Sequence, residues 1–157
     1  MAANRPRANS RTVALNRRAR HNYEILSTYE AGLVLTGTEI KSLRAGNANL
    51  SDAYAQPQDG ELWLRNLHIA AYASADHYNH EPTRPRKLLL HRSEIRELSQ
   101  QVSAKGLTLV PLRLYLNRGL AKVELGLARG KRRHDKRRAI IDRERKREAE
   151  RAIKRRL

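Results

Sequence analysis

The side chains of this chain that are best suited to chemistry are cations, and they are densest in its last 27 residues. This tail, residues 131–157, holds 14 Lys and Arg against 5 Asp and Glu. Ammonium and guanidinium groups form charge-assisted hydrogen bonds with phosphate oxygens. The tail has too few apolar residues to build a core of its own, because so little burial does not offset the entropy lost on ordering the chain. We therefore predict a basic extension that contacts a phosphate-rich partner.

The charge of the whole chain is distributed as two basic ends around a nearly neutral middle. The net charge is +17; residues 1–22 hold six Arg and no acid, whereas residues 23–130 hold 13 basic and 11 acidic side chains. A neutral body with basic arms is typical of nucleic-acid-binding proteins. The alternatives are a charge run that serves only solubility, and a membrane-surface segment, which requires an apolar face that the tail lacks.

Candidate residues for catalysis and for metal binding are few. The motif His77-x-x-His80-Glu81 has the types of metal ligands, but it lies in a Pro-flanked loop without a further ligand cluster, so we interpret it as a solvated polar loop and not as a metal site. Asp52, Asp59 and Glu61 are typical of turns and strand ends and form no evident acid–base pair. No glycine-rich segment carries the Lys-Ser/Thr of a P-loop. The sequence predicts a protein that is not an enzyme and needs no metal or cofactor.

Features that would indicate export or membrane insertion are missing from the sequence. Cysteine is absent, so neither disulfides nor thiolate metal sites are expected. The N-terminal segment lacks the apolar stretch of a secretory signal, and apolar runs elsewhere are only a few residues long. We therefore expect a cytoplasmic protein, a monomer, that has no membrane partner.

The elements that must position these side chains are predominantly short strands. Residues 1–16 are polar and are predicted to form a flexible basic arm. Alternation of apolar and polar residues then predicts two short strands with a turn near Ala31-Gly32. A short helix is predicted over residues 36–44, with Thr38 as its cap.

Further strands and a loop are predicted in the middle of the chain. Strands are expected over residues 49–56 and 62–71, with a hairpin turn at Asp59-Gly60 between them. Residues 73–86 are rich in His, Asn and Pro and predict a loop.

A helix and a hairpin complete the predicted body. The helix starts at its cap Ser93 and closes at Lys105-Gly106. Two alternating strands then run from Leu112 to Leu127 with a turn at Asn117-Arg118-Gly119, and Pro111 marks an edge or a bulge.

This order of elements predicts a mainly β fold. We expect a small OB-like antiparallel β-barrel over residues 17–130, with two to three helices covering its ends; a β-sandwich is the alternative. In the tail, Arg143, Arg147 and Arg151 recur at i, i+4 spacing and form one basic ridge of a helix. Because such a helix is marginal in water and its ridge is like-charged, we predict a conditional helix that orders when phosphates neutralise it.

Four blocks of the sequence are specific enough to compare with a known family. They are Asn16–His21, Gly37–Gly46 with its continuation Asn49–Tyr54, Pro82–Leu90 and Gly130–Arg137. These blocks resemble, in family order, the SsrA-binding protein family, SmpB. The resemblance covers nearly the whole chain.

The resemblance implies an OB-like barrel that binds the tRNA-like part of transfer-messenger RNA. Together with elongation factor Tu, which the charged RNA links to it, the complex would enter stalled ribosomes and start trans-translation, with the tail in the vacant mRNA channel. The RNA-contact positions of the family map onto Glu30, Leu89 and Lys122, with Asn16 and His21. The cations of the first helix that we add to this surface are Lys41 and Arg44. The tail positions assigned to the decoding centre and channel are Lys131, His134, Asp135, Lys136, Arg137, Arg143, Arg147 and Arg151.

A structural ribosomal protein is the competing function, because basic arms on a small barrel occur there too. Such a protein would accompany every ribosomal subunit at equal stoichiometry, whereas a rescue factor would be enriched on stalled ribosomes.

Overall fold

The structure is a computed structural model that describes residues 10–73, 79–131 and 133–156, and for residues 133–139 and 156 it describes the backbone alone. These residues form nine strands and four helices. The strands are β1 (Ser10–Leu15), β2 (Tyr23–Leu33), β3 (Ala48–Asn49), β4 (Tyr54–Gln58), β5 (Glu61–Arg65), β6 (His68–Ile69), β7 (Arg86–Leu89), β8 (Thr108–Asn117) and β9 (Leu120–Gly130). The helices are α1 (Arg17–Asn22), α2 (Gly37–Arg44), α3 (Arg92–Lys105) and α4 (Arg133–Arg156).

Six antiparallel strands close into a barrel. Their order is β8-β4-β5-β7-β2-β9, and the pairing of β9 with β8 completes the ring. Because β9 occupies one edge of β8 along its whole length, β1 and β4 share the other edge. β3 and β6 form a separate two-stranded sheet. The predicted mainly β, OB-like barrel is therefore confirmed.

Aliphatic side chains from alternate strand positions fill the barrel. Burying each of them stabilises the fold by about 1.5–3 kcal/mol. α2 and α3 add Leu43 and Leu98 to the same core, so both helices pack on the barrel through their apolar sides. The largest fully buried aliphatic residues are Leu43, Leu50, Leu62, Leu64, Leu67, Ile69, Leu88, Leu98, Leu109, Leu114 and Leu125.

α1 packs on the outside of the barrel, over a second and smaller apolar cluster. The cluster consists of Ala19, Val110, Leu112 and Ala128, with Tyr23 and Ile25 packed against it. A Cβ on Gly126 would lie 3.1 Å from Leu112 Cδ1 and 3.3 Å from Ile25 Cδ1. Because Gly126 has no side chain, Leu112 and Ile25 can pack against each other beneath α1.

Two β-bulges allow one face of the sheet to be apolar at one end and polar at the other. The register shifts between Ile25 and Ser27 in β2, and between Pro111 and Arg113 in β8. At each bulge two residues of one strand lie opposite a single residue of the partner strand. The extra residue reverses which side chains of that strand point outwards. The outer face thus carries apolar residues under α1 and polar residues beyond the bulges. The bulge predicted at Pro111 is confirmed.

Two predictions for the first third of the chain are wrong. Residues 10–15 of the predicted flexible arm form β1, because β8 offers them a free edge and Val13 and Ala14 pack against the core. Residues 1–9 of that arm lie outside the described residues. The two strands predicted with a turn near Ala31-Gly32 are the single strand β2, which is held extended by β7 on one side and β9 on the other.

Predicted strands in the middle of the chain are divided more finely than expected. The strand predicted over residues 49–56 is split by a turn at Ser51-Asp52. The strand predicted over residues 62–71 breaks near Asn66, which has a φ of 60°. No strand was predicted where β7 lies, since its alternation is short and follows a Pro-rich segment.

Helix starts are displaced by two residues, whereas the turns are as predicted. Thr36 and His91 are the N-cap residues of α2 and α3, in place of Thr38 and Ser93, because Glu39 and Glu94 hydrogen-bond to their backbone amides. Both hairpin turns have the positive φ angles of a type I′ turn. Their residues are Asp59 (53°), Gly60 (76°), Arg118 (51°) and Gly119 (79°).

The helix predicted for the tail is confirmed as α4, which is 24 residues long. Its side chains from residue 140 to residue 155 are exposed, the ridge of Arg143, Arg147 and Arg151 among them. Whether the helix forms only with a partner stays a prediction.

Candidate nucleic-acid interface

Leu89, Gly32 and Lys122 lie side by side on three neighbouring strands of the outer barrel face. Gly32 of β2 pairs with Leu89 of β7 on one side and with Lys122 of β9 on the other. A cleft of about 510 Å³ opens over them, and Glu30 and Glu94 also line it. The structure therefore brings together three of the predicted contact residues, Glu30, Leu89 and Lys122, from distant parts of the sequence.

Gly32 lines the candidate site, whereas the sequence analysis assigned it to a turn. A Cβ on Gly32 would lie 3.3 Å from Leu89 Cβ, which is tighter than most side-chain contacts. Because Gly32 has no Cβ, the Leu89 side chain can lie close against β2 at the floor of the cleft. An isolated glycine in a strand pattern often marks such a close approach, and that signal was available in the sequence.

Glu30 and Lys122 form an ion pair across the diagonal of the β2–β9 ladder. Lys122 Nζ lies 3.7 Å from Glu30 Oε1, and about a quarter of each side chain is exposed. Pairs of this kind contribute little to stability in water. Their polar atoms are accessible, so the ammonium can contact phosphate and the carboxylate can accept a hydrogen bond from a base or from a 2′-hydroxyl.

Tyr115 supports this pair from β8, directly opposite Lys122. The ring is buried, and its hydroxyl hydrogen-bonds Glu30. Burial raises the pKa of Tyr115, and the Glu30 carboxylate raises it further, so the hydroxyl keeps its proton and donates it. The guanidinium of Arg113 stacks on the ring at 4.1 Å from its centre. The β8 alternation predicts that Arg113 and Tyr115 face the same way, but their link to Glu30 requires the tertiary structure.

Asn16 is buried and is used inside the protein. Its Oδ1 accepts from the amide of Ala19 and so caps α1, while Nδ2 donates to the carbonyls of Pro111 (2.9 Å) and Leu50 (3.2 Å). Because these bonds use both side-chain polar atoms, Asn16 orients α1 on the barrel and is not available for a direct contact. His21 is exposed at the end of the same helix.

The cations of α2 lie apart from the Lys122 cleft. Lys41 and Arg44 are both exposed, and the Lys41 ammonium lies 5.6 Å from the ring centre of Tyr72. Neither residue lines the cleft. They belong to a separate basic surface.

The tail leaves the barrel beside the end of α1. The amide of Lys131 donates to the carbonyl of Asn22 at 2.9 Å, which fixes where the extension begins. The predicted decoding-centre residues 134–137 lie in the first turns of α4, and their side chains are outside the described part of the chain.

A buried charge cluster connects two of the sequence blocks and was missed from the sequence. Glu39 of α2 accepts hydrogen bonds from Arg84 and Arg86, and the side chains of Glu39 and Arg86 are fully buried. Burial raises the pKa of Glu39, but the hydrogen bonds from Arg84, the Thr36 amide and Arg86 outweigh it and hold the pKa below its ordinary value. Arg86 also donates to the carbonyl of Leu67. The cluster anchors the segment that leads into β7 and thereby positions Leu89.

His80 of the motif His77-x-x-His80-Glu81 has internal partners in the structure. His80 Nδ1 lies 2.9 Å from Thr38 Oγ1, and its Nε2 lies 2.9 Å from the carbonyl of Ile69, so internal partners occupy both ring nitrogens. His77 lies outside the described residues. Within the described ranges no three His, Cys, Asp or Glu side chains are grouped to hold a metal ion, and no helix is long and apolar enough to cross a membrane.

Comparison with known sequences decides the family. The sequence model of the family described as "SmpB protein" matches residues 13–155. The chain belongs to the SmpB protein family. The SsrA-binding protein of Thermobifida fusca (strain YX) is 61% identical to this chain over 146 residues, which are 93% of this chain and 91% of the relative. The SsrA-binding protein of Synechococcus sp. (strain JA-3-3Ab) is 61% identical over 147 residues, 93% and 96% of the two chains.

A solved structure supports the same family at the level of the fold. It is described as "tmRNA-SmpB: a journey to the center of the bacterial ribosome". One of its chains superposes on this SmpB family member with a TM-score of 0.66 at 57% sequence identity, covering 81% of this chain and 93% of the other. The family resemblance inferred from the four sequence blocks is confirmed.

Proposed function

We propose that this protein binds the tRNA-like domain of transfer-messenger RNA, the SsrA RNA, and takes part with it in trans-translation on stalled ribosomes. The observation that carries the proposal is the 61% identity to SsrA-binding proteins over nearly the full length of both chains. The cleft over Leu89, Gly32 and Lys122 supplies a surface with the chemistry that RNA requires. The protein acts by binding and not by catalysis, and it works in the cytoplasm, where translation takes place.

The cleft combines three kinds of RNA contact. The Lys122 ammonium binds a phosphate, and Glu30 accepts from base or 2′-hydroxyl donors. Leu89 is half exposed and offers an apolar surface to a base or a sugar. The open cleft over Gly32 lets one nucleotide approach the sheet beside these side chains. Recognition by shape and backbone fits a chain that has only seven aromatic residues and no Phe.

The tail has a separate role in this proposal. In this proposal the barrel domain includes β1, so that it spans residues 10–130, and the tail follows from Lys131. The barrel holds the RNA, and the tail enters the empty mRNA channel, where His134, Asp135, Lys136 and Arg137 lie at the decoding centre and the ridge of Arg143, Arg147 and Arg151 meets ribosomal RNA. Elongation factor Tu joins through the charged RNA.

Co-purification followed by sequencing of the bound RNA tests the proposal. We expect transfer-messenger RNA to be the main RNA retained by the full-length protein, and binding to weaken steeply with salt because phosphates dominate the interface. Equal affinity for any tRNA-sized RNA would contradict the proposal.

A second measurement separates a rescue factor from a ribosomal component. Sedimentation should show the protein in less than one copy per ribosome and enriched on ribosomes stalled without a stop codon. A constant copy on every small subunit would favour a structural ribosomal protein instead.

A further inference from the structure

A second and smaller cleft lies on the same barrel face, between α1 and the outer side of β8 and β9. Its volume is about 250 Å³, and its charged lining consists of Arg17, Arg20, Arg113 and Glu124. Three guanidinium groups against one carboxylate give the cleft a net charge of about +2. Arg113 was expected from the sequence to face outwards near Lys122, whereas Arg17 and Arg20 are not among the predicted contact residues.

The fold brings these arginines together through α1. The Asn16 cap and the apolar cluster beneath Ala19 hold the helix flat on the sheet. Arg17 and Arg20 are three residues apart and therefore lie on the same side of α1. That side borders Arg113, which the bulge after Pro111 turns to the outer face.

Arg113 is oriented before any ligand arrives. Its guanidinium stacks on Tyr115 at 4.1 Å, and Nη1 donates to Thr12 Oγ1 at 3.2 Å. Its Nε is enclosed and has no hydrogen-bond partner among the described residues. Because Nε is enclosed, an oxyanion that enters between α1 and β8 would meet the terminal nitrogens of the guanidinium. Arginine is suited to this task, because its planar donors match two oxygens of one phosphate.

The cleft continues the surface that contains Lys122. Tyr115 lies opposite Lys122, and Arg113 lies one step further along β8, opposite Glu124. Diagonal neighbours on adjacent strands are about 7–8 Å apart, so a single nucleic-acid backbone can pass from Lys122 to Arg113. Glu124 lies between these two cations, and its carboxylate repels an oxyanion placed directly over it. The surface therefore favours a ligand whose oxyanions lie on both sides of Glu124.

We propose that Arg17, Arg20 and Arg113 form a phosphate-binding site that extends the RNA interface from Lys122 across Tyr115 to α1. The proposal rests on the RNA-binding function proposed above and names the part of the RNA, a backbone phosphate, that this cleft takes. The site contributes affinity without reading the base sequence, since phosphate contacts position a nucleic acid and base contacts specify it.

Binding of transfer-messenger RNA to full-length variants over a series of salt concentrations tests the site. The test variants are Arg17→Gln/Arg20→Gln and Arg113→Gln. The matched control is Lys105→Gln/Arg118→Gln, which removes two exposed charges at positions that line neither cleft. We expect the double test variant to bind roughly tenfold more weakly. Its plot of log affinity against log salt should be less steep by about 0.7–0.9 for each phosphate that the variant no longer neutralises.

The outcomes separate this proposal from the function on which it rests. If the test and control variants lose equal affinity, the arginines act only through net charge and the proposal fails. If Lys122→Gln weakens binding but Arg17→Gln/Arg20→Gln does not, the proposed function stands without this site. Because Arg113 packs on Tyr115, a second variant at this position, Arg113→Lys, is needed. Lysine keeps the positive charge but lacks the planar pair of guanidinium donors. This variant should bind more weakly than the unmodified protein at an unchanged melting temperature. Unchanged binding of Arg113→Lys would exclude a bidentate contact.

Discussion

Lys122 and Glu30 form a diagonal ion pair across the β2–β9 ladder, with 3.7 Å between Nζ and Oε1. The pair stands beside a glycine and above a buried tyrosine whose hydroxyl hydrogen-bonds the carboxylate. Both charges keep about a quarter of their surface exposed, so each can exchange its partner for an RNA group at little cost. The pair is thus a preformed contact that RNA can use.

Loss of the Lys122 charge should reduce RNA binding much more than stability. We expect Lys122→Gln to weaken binding of transfer-messenger RNA by roughly tenfold, because one charge-assisted phosphate contact is removed. The free energy of unfolding should change by less than about 1 kcal/mol, as for other surface pairs. Filter binding and urea titration measure the two quantities. Lys87→Gln, which likewise removes the ammonium partner of a partly exposed glutamate, is the control and should not reduce binding as strongly.

A side chain at position 32 should fill the floor of the cleft between Leu89 and Lys122. Since its Cβ would already lie 3.3 Å from Leu89 Cβ, Gly32→Val should displace Leu89 and weaken RNA binding by about fivefold or more, equivalent to about 1 kcal/mol. Gly130→Val is the control, because nothing lies within 4 Å of a Cβ there. Far-ultraviolet circular dichroism verifies that both variants are folded. If the two folded variants then bind RNA equally well, the cleft over Gly32 is not used for binding.

Neutralising Glu39 should destabilise the fold by about 3–5 kcal/mol, because Glu39→Gln leaves Arg86 buried without its counter-charge. Glu61→Gln, which breaks an exposed pair with Lys87, should cost less than about 1 kcal/mol. Urea midpoints at neutral pH measure both changes. A loss for Glu39→Gln no larger than that for Glu61→Gln would contradict the buried pair.

The Glu39 cluster also predicts how stability depends on pH. The pKa of Glu39 is lowered in the folded protein, so its contribution is present above the ordinary carboxylate range and is lost as the pH falls through the lowered value. The difference between the unmodified protein and Glu39→Gln should therefore be largest at neutral pH and shrink in acid. A difference that stays constant down to pH values below the carboxylate range would show that Glu39 does not titrate with folding.

The helix of the tail should depend on a phosphate-rich partner. Its exposed ridge of Arg143, Arg147 and Arg151 is like-charged, and each such i, i+4 contact costs about 0.2–0.5 kcal/mol until counter-ions or phosphates neutralise it. The difference in circular dichroism between the full chain and a chain ending at residue 130 reports the tail alone. We expect fewer than the 24 helical residues of α4 without a partner, and more when inorganic polyphosphate is added. A full helical signal in both conditions would contradict a conditional helix.

The four sequence blocks were sufficient for the family, and the turns and alternating strands were sufficient for a barrel. Turns such as Asp59-Gly60 depend on local backbone preferences, which the sequence states directly. β1 and β7 were missed because their strand character comes from a neighbouring edge and not from their own pattern. The buried pair of Glu39 and Arg86 was missed for a similar reason, since charged residues are almost always exposed unless a distant partner is present.

The sequence by itself determined the basic ends of the chain, the mainly β class and the residue types available for RNA. The tertiary structure alone decided which of these residues meet: Leu89, Gly32 and Lys122 come from three segments and lie together because β2 pairs with both β7 and β9. The tertiary structure also buries Asn16, which caps α1, and places Arg113 beside α1 through the bulge in β8. Strand pairing and burial depend on contacts distant in sequence, so periodicity within one segment cannot specify them.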